Sequence, residues 1–111
     1  MKHFDGNPVA QGDVMIVPWS GSQFGDVIPA ENGSLIITHS ETGHHHVVME
    51  RADIQFRAMD EFRSYLSADE PFVLEHLRSF DTHESIQFPA GKYEVRRQRE
   101  YMPEGFRRAA D

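Results

Sequence analysis

Three consecutive histidines, His44-His45-His46, follow a glycine in this chain, and His39, His83, His76 and His3 bring the total to seven. Imidazole is the commonest neutral metal ligand and the side chain most easily switched near neutral pH. On an extended strand His44 and His46 point to one face and His45 to the other. Two imidazoles two residues apart on one strand converge on a single cation, and a third from a distant strand completes an open, three-ligand site. His83 is the expected third ligand, with His39 or Glu50 as a fourth. Glu41, Glu50 and Glu84 are the nearby carboxylates for ligation or for orienting an imidazole N–H. His3 lies in a polar lead-in, and His76, between Leu74 and Leu77, reads as a hydrogen-bonded core histidine.

The chain has no cysteine. A disulfide scaffold, a thiolate zinc site, a thiol nucleophile and an iron–sulfur cluster are therefore excluded. A metal would be held by imidazole and carboxylate alone, which suits an exchangeable divalent first-row ion. Zn, Ni, Mn and Fe are equally compatible with such donors. No Gly-x-Ser-x-Gly frame surrounds a serine, and Gly21–Gly25 lacks the Lys-Ser/Thr pair of a phosphate loop. A plainer reading of the three histidines is the exposed rim of a hairpin. A third is a pH-sensing element, in which adjacent imidazoles gain charge together.

The elements that position these residues read as strands. Val14–Val17 is an apolar run closed by Pro18. Residues 19–33 hold Gly21, Gly25, Pro29 and Gly33 and read as a long loop over a site. Ser34–His39 and His44–Glu50 flank a Ser40–Gly43 turn, and Ala52–Ala58 alternates with period two. Met59–Ser67 fits both a helix and a strand, and the surrounding elements favour a strand near Phe62–Leu66. Phe72–Leu77, His83–Phe88 and Tyr93–Tyr101 complete the set, the last with Tyr93, Val95, Arg97, Arg99 and Tyr101 on one face. Pro103 and Gly105 read as its stop. The pattern is an all-β, single-domain antiparallel barrel or sandwich. The expected boundaries are a flexible N-terminal arm over 1–11, one β domain over 12–103 and a tail over 104–111.

The 111 residues carry 18 acidic and 11 basic groups, a net charge of −7. That argues against nucleic-acid binding, since a phosphate backbone repels a net anion. No apolar run approaches the roughly 20 residues of a membrane span, and the N-terminus lacks a secretory apolar core. A soluble, cytoplasmic protein is expected. The charge is unevenly spread: residues 91–111 hold six basic and four acidic groups, residues 1–90 five and fourteen. The basic C-terminal strand, through Arg97, Arg99 and Tyr101, is thus a candidate surface for a protein partner or a second copy of the chain.

Gly43-His44-His45-His46 with Glu50 resembles the first metal motif of the cupins, and Phe88-Pro89-Ala90-Gly91 resembles the turn that opens their second. The resemblance implies a cupin or jelly-roll-like barrel with a metal held by His44, His46 and a further histidine. Lys92, Tyr93 and Glu94 follow that turn, so the further ligand would be His83, before it. The chain is also similar to short bacterial and phage proteins without an established activity. The shared features are Gly12-Asp13-Val14, Thr42-Gly43-His44-His45-His46, His83–Ile86, Pro89–Val95 and Gln98–Tyr101 with Pro103. Two readings follow: a small metal-binding protein whose reaction is open, and a non-enzymatic assembly module of bacterial or phage origin.

Overall fold

The computed structural model describes residues 1–11, 14–23, 25–38, 45–76, 85–97, 99–102 and 105–108, the last two segments as backbone. The described residues form strands and turns, with no helix. None of them belongs to a helix long and apolar enough to cross a membrane.

One sheet contains β1 (Lys2–His3), β5 (Ser34–Thr38), β6 (His46–Met49), β9 (Phe72–His76) and β10 (Ile86–Phe88). Their spatial order is β1-β10-β9-β6-β5, antiparallel except for the parallel β1–β10 pair. The second contains β2 (Val9–Gln11), β3 (Val14–Pro18), β4 (Asp26–Val27), β7 (Gln55–Ala58), β8 (Arg63–Ala68) and β11 (Gly91–Arg97). Its order is β2-β3-β11-β8-β7-β4, antiparallel throughout. A separate hairpin joins β12 (Arg99–Met102) to β13 (Gly105–Arg108).

Period-two alternation decides which residues meet between the sheets. Val14 and Ile16, Leu35 and Ile37, Phe72 and Leu74, and Tyr93 and Val95 enter one shared core with Leu66, Ile86 and Phe88. Because both sheets contribute to that core, the fold is a β-sandwich. Each fully buried Leu, Ile or Phe contributes about 1.5–3 kcal/mol. At one end Phe88 stacks on Phe72 at 5.2 Å and meets the edge of Tyr93 at 5.2 Å. The Tyr93 hydroxyl donates to the Pro89 carbonyl at 2.7 Å, so its polar tip is satisfied beside an apolar cluster.

Three segments differ from the reading of the sequence. The expected arm supplies a strand to each sheet: β1 lies on β10, and β2 returns against β3 with Val9 and Gln11 buried. The alternation Val9-Ala10-Gln11 hides the signal, because its second inward residue is polar. The long loop contains β4 and a tight turn at Asn32-Gly33, with φ of 53° and 81°, where Glu31 and Ser34 exchange both backbone hydrogen bonds. Asn-Gly is the dipeptide that such a two-residue turn favours. Of the expected strand Tyr93–Tyr101, Tyr93–Arg97 lies in β11 and Arg99–Tyr101 in β12, with Gln98 outside the described residues; β12 pairs with β13, a strand in the segment read as a tail. Gly105, expected to stop the last strand, opens β13, and Pro103 lies outside the described residues.

Candidate metal centre

His46 opens β6 and shares its face with Val48, a core residue, so its ring enters the interior at only 4% exposure. A buried imidazole needs its polar atoms matched. Its Nδ1 lies 2.7 Å from the Gln11 side-chain oxygen, and the Gln11 amide nitrogen donates to the Leu74 carbonyl at 3.2 Å. That second bond fixes which way the amide faces. The Gln11 oxygen can only accept, so Nδ1 carries the hydrogen and donates it. In the neutral ring Nε2 then holds the lone pair. Gln11 comes from β2 of one sheet, His46 and Leu74 from β6 and β9 of the other. One buried amide thus ties the sheets together at the histidine.

His46 also faces His76 across the β6–β9 ladder, their rings 4.2 Å apart and 5° from parallel. Thr38 is the partner of His46 on the other side, next to a bulge between Ile36 and Thr38. Thr38, His46 and His76 therefore form a row across three neighbouring strands at one end of the sheet. His39 follows Thr38 directly, and His44 and His45 precede His46. His83 belongs to the segment joining His76 to Ile86. The strand ends that carry both histidine segments thus sit side by side. His39, His44 and His83, with Glu41 and Glu84, lie outside the described residues, and His45 is half-buried. Among the described residues no three His, Asp or Glu side chains gather as a metal cluster.

Glu50 is placed elsewhere. It follows β6 at the far end from His46, about 13 Å of extended strand away, and is exposed. An ion about 2 Å from a His46 nitrogen is beyond its reach. His3 is exposed on the edge strand β1. Arg97 serves the fold: its N–H donates to the Phe62 carbonyl at 2.9 Å and its guanidinium donates to the Glu61 carbonyl. Arg99 and Tyr101 stand opposite Arg108 and Phe106 in the β12–β13 register.

Gln11 and His76 were not legible as site residues. Gln11 sits in the segment read as an arm. His76 becomes relevant only once β6 and β9 are known to pair. A close ion pair lies in the loops. Arg51 grips both oxygens of Asp53 at 2.7 Å, and the Asp53 carboxylate accepts the N–H groups of Asp69 and Glu70. The Arg51 bond, followed by the Asp69 N–H, holds the Asp53 carboxyl well below the usual carboxylate range against the opposing effect of desolvation. On β11 the buried Glu94 carboxylate lies between Arg63 at 3.3 Å and Arg96 at 3.1 Å.

Together these features define a small all-β sandwich domain in which an interior histidine, His46, is held across the two sheets. The chain belongs to the family described as Domain of unknown function (DUF8820), whose model matches residues 10–98. The matched stretch runs from β2 to the end of β11 and includes Gln11, His46 and His76; the β12–β13 hairpin lies beyond it. No curated protein and no solved structure matches the chain.

Proposed function

We propose that this domain binds a divalent first-row metal ion through a histidine cluster, with His44, His46 and His83 as ligands and His39 as a fourth. The observation that carries this reading is the state of His46: an interior imidazole whose Nδ1–H is held by Gln11, so that in the neutral ring the lone pair lies on Nε2. Metal-binding histidines commonly have their other nitrogen held in this way. The row Thr38-His46-His76 supports it further, because the segments bearing the other three histidines start from neighbouring strand ends. The likeness to the cupins belongs to this proposal through the Gly-His-x-His turn. Zn, Ni, Mn or Fe would each suit imidazole donors, and the bound ion would serve as a Lewis acid or activate a water. Metal analysis of untagged protein tests the reading. About one ion per chain, lost in His44→Ala and in His83→Ala, is expected; a trace of metal unaffected by either substitution overturns it.

A second reading, assembly through the basic C-terminal end, rests on one observation. Among the described residues the β12–β13 hairpin is a two-stranded sheet that pairs with neither main sheet. An isolated hairpin is marginally stable in water and gains stability by packing on another surface. Arg99, Arg107 and Arg108 outnumber Glu100 in its two strands, while residues 1–90 are strongly acidic. A second copy of the chain is therefore a matched partner.

A further inference from the structure

The geometry points to Gln11 as the positioning residue of the proposed metal centre, and to Nε2 of His46 as the ligating atom. The inference rests on the metal-binding reading and adds to it a residue outside the histidine cluster. Gln11 is 2% exposed, on an edge strand, in a core that is otherwise mainly apolar around it. Its amide makes two bonds of opposite sense: the nitrogen donates to the Leu74 carbonyl at 3.2 Å, and the oxygen accepts from His46 Nδ1 at 2.7 Å. Burying an amide is costly unless both ends are matched. Here the matching also transmits information. The Leu74 carbonyl is a fixed acceptor, so it sets the amide, and the amide sets the imidazole tautomer.

The stacked His76 ring limits the alternatives. Imidazole lone pairs lie in the ring plane, and the two rings are parallel at 4.2 Å. A metal in the plane of one ring, about 2 Å from its nitrogen, lies well outside the plane of the other. His76 therefore orients the His46 ring from its face, while Gln11 orients it in its plane. Together they aim Nε2 in one direction with one protonation pattern, a pre-organisation that metal sites obtain from their outer shell.

The test uses the full untagged chain with Gln11→Met, which keeps the length of the side chain and removes the acceptor, and Gln11→Glu, which keeps an acceptor oxygen. Two readouts are taken. The first is the ring 15N spectrum of His46 in metal-free protein, under conditions where the ring is neutral. The second is Zn2+ affinity by calorimetry. The wild type and Gln11→Glu should carry the hydrogen on Nδ1, and Gln11→Met should not. Zinc should bind about 10–100-fold more weakly to Gln11→Met, with Gln11→Glu recovering most of the loss. A wild-type ring with its hydrogen on Nε2, or a Gln11→Met ring unchanged from wild type, overturns the assignment. A wild type with the stated tautomer that binds no zinc sinks the metal reading and the ligating role with it, while the Gln11–His46 bond stands.

Discussion

His46 and His76 are register partners on adjacent antiparallel strands, and their rings lie parallel at 4.2 Å. The pair marks where β6 begins and β9 ends. Two histidines this close invite the idea of a shared ion. The parallel planes argue against it, because in-plane lone pairs on stacked rings do not meet. The geometry divides the labour: His46 is the candidate ligand and His76 the wall it rests on.

That division is measurable. His76→Ala should lower stability by about 0.5–1.5 kcal/mol, the value of a stacked pair, and leave metal stoichiometry unchanged. His46→Ala should abolish metal binding. It should also cost about 1–3 kcal/mol, because the 2.7 Å bond to Gln11 is broken inside the core. Metal analysis and urea unfolding of the two variants separate the roles. Loss of metal in His76→Ala with the fold intact would contradict the assignment.

Core substitutions should follow position in the sandwich. Phe88 is fully buried and touches Phe4, Phe72 and Tyr93 with its ring. Phe88→Ala should cost about 3–5 kcal/mol. Val27 is 64% exposed on the edge strand β4, and Val27→Ala should stay within about 0.5 kcal/mol of wild type. Equilibrium urea unfolding reads both; equal costs would mean that the core does not lie between the sheets.

The all-β sandwich was legible because alternation and turn residues repeat along most of the chain. Val14–Pro18, Ser34–Thr38 and Phe72–His76 carry apolar residues in the pattern a strand needs. What escaped depends on partners distant in sequence. β1 and β2 are too short to show a period, and they are strands only because β10 and β3 supply their ladders. The same holds for the site. His46 was legible from its spacing to His44. Gln11 is 35 residues away, and its role follows from strand order alone. Glu50 looked close to His46 because four residues are few in sequence; in an extended strand they separate the two by about 13 Å.

Two glycines should respond differently to the same substitution. Gly25 has φ of +101°, and a Cβ there would collide with the Ala58 backbone carbonyl. Gly25→Ala should cost about 2–3 kcal/mol, from strain and displacement of β4 from β7. Gly33 has φ of +81° with open space around it. Gly33→Ala should cost only about 1 kcal/mol, the penalty of a left-handed backbone. Thermal unfolding compares them, and a Gly33→Ala loss as large as that of Gly25→Ala would refute the steric argument.

Acid should weaken the fold through the loop carboxylates. Arg51 holds the Asp53 carboxyl low, and Arg63 with the Phe62 N–H does the same for Asp60. A carboxyl lowered in the folded state is the stronger acid there, so the unfolded chain binds more protons as pH falls. The stabilisation is complete above about pH 5 and is lost below the unfolded value near 4, toward the lower folded values. Asp53→Asn should flatten this acid slope and leave a lower plateau at neutral pH. Urea midpoints between about pH 3 and 7 test it; an unchanged slope would show that the Arg51–Asp53 grip adds no pH-dependent stability.

Arg97 and Arg99 sit two residues apart in sequence, and among the described residues their strands take different partners. Arg97 ends β11 and ties that strand to Glu61 and Phe62 in the turn before β8. Arg99 begins β12, which among the described residues pairs with β13 alone. Arg97→Glu should therefore lower stability by about 1 kcal/mol, through lost hydrogen bonding, whatever the oligomeric state. Arg99→Glu should leave the melting temperature alone. If the hairpin docks on the acidic body of a second copy, Arg99→Glu should also shift the mass seen by light scattering toward the monomer, as should added salt, because exposed charge pairs are screened. A wild type that remains monomeric at low salt and high concentration removes the assembly reading.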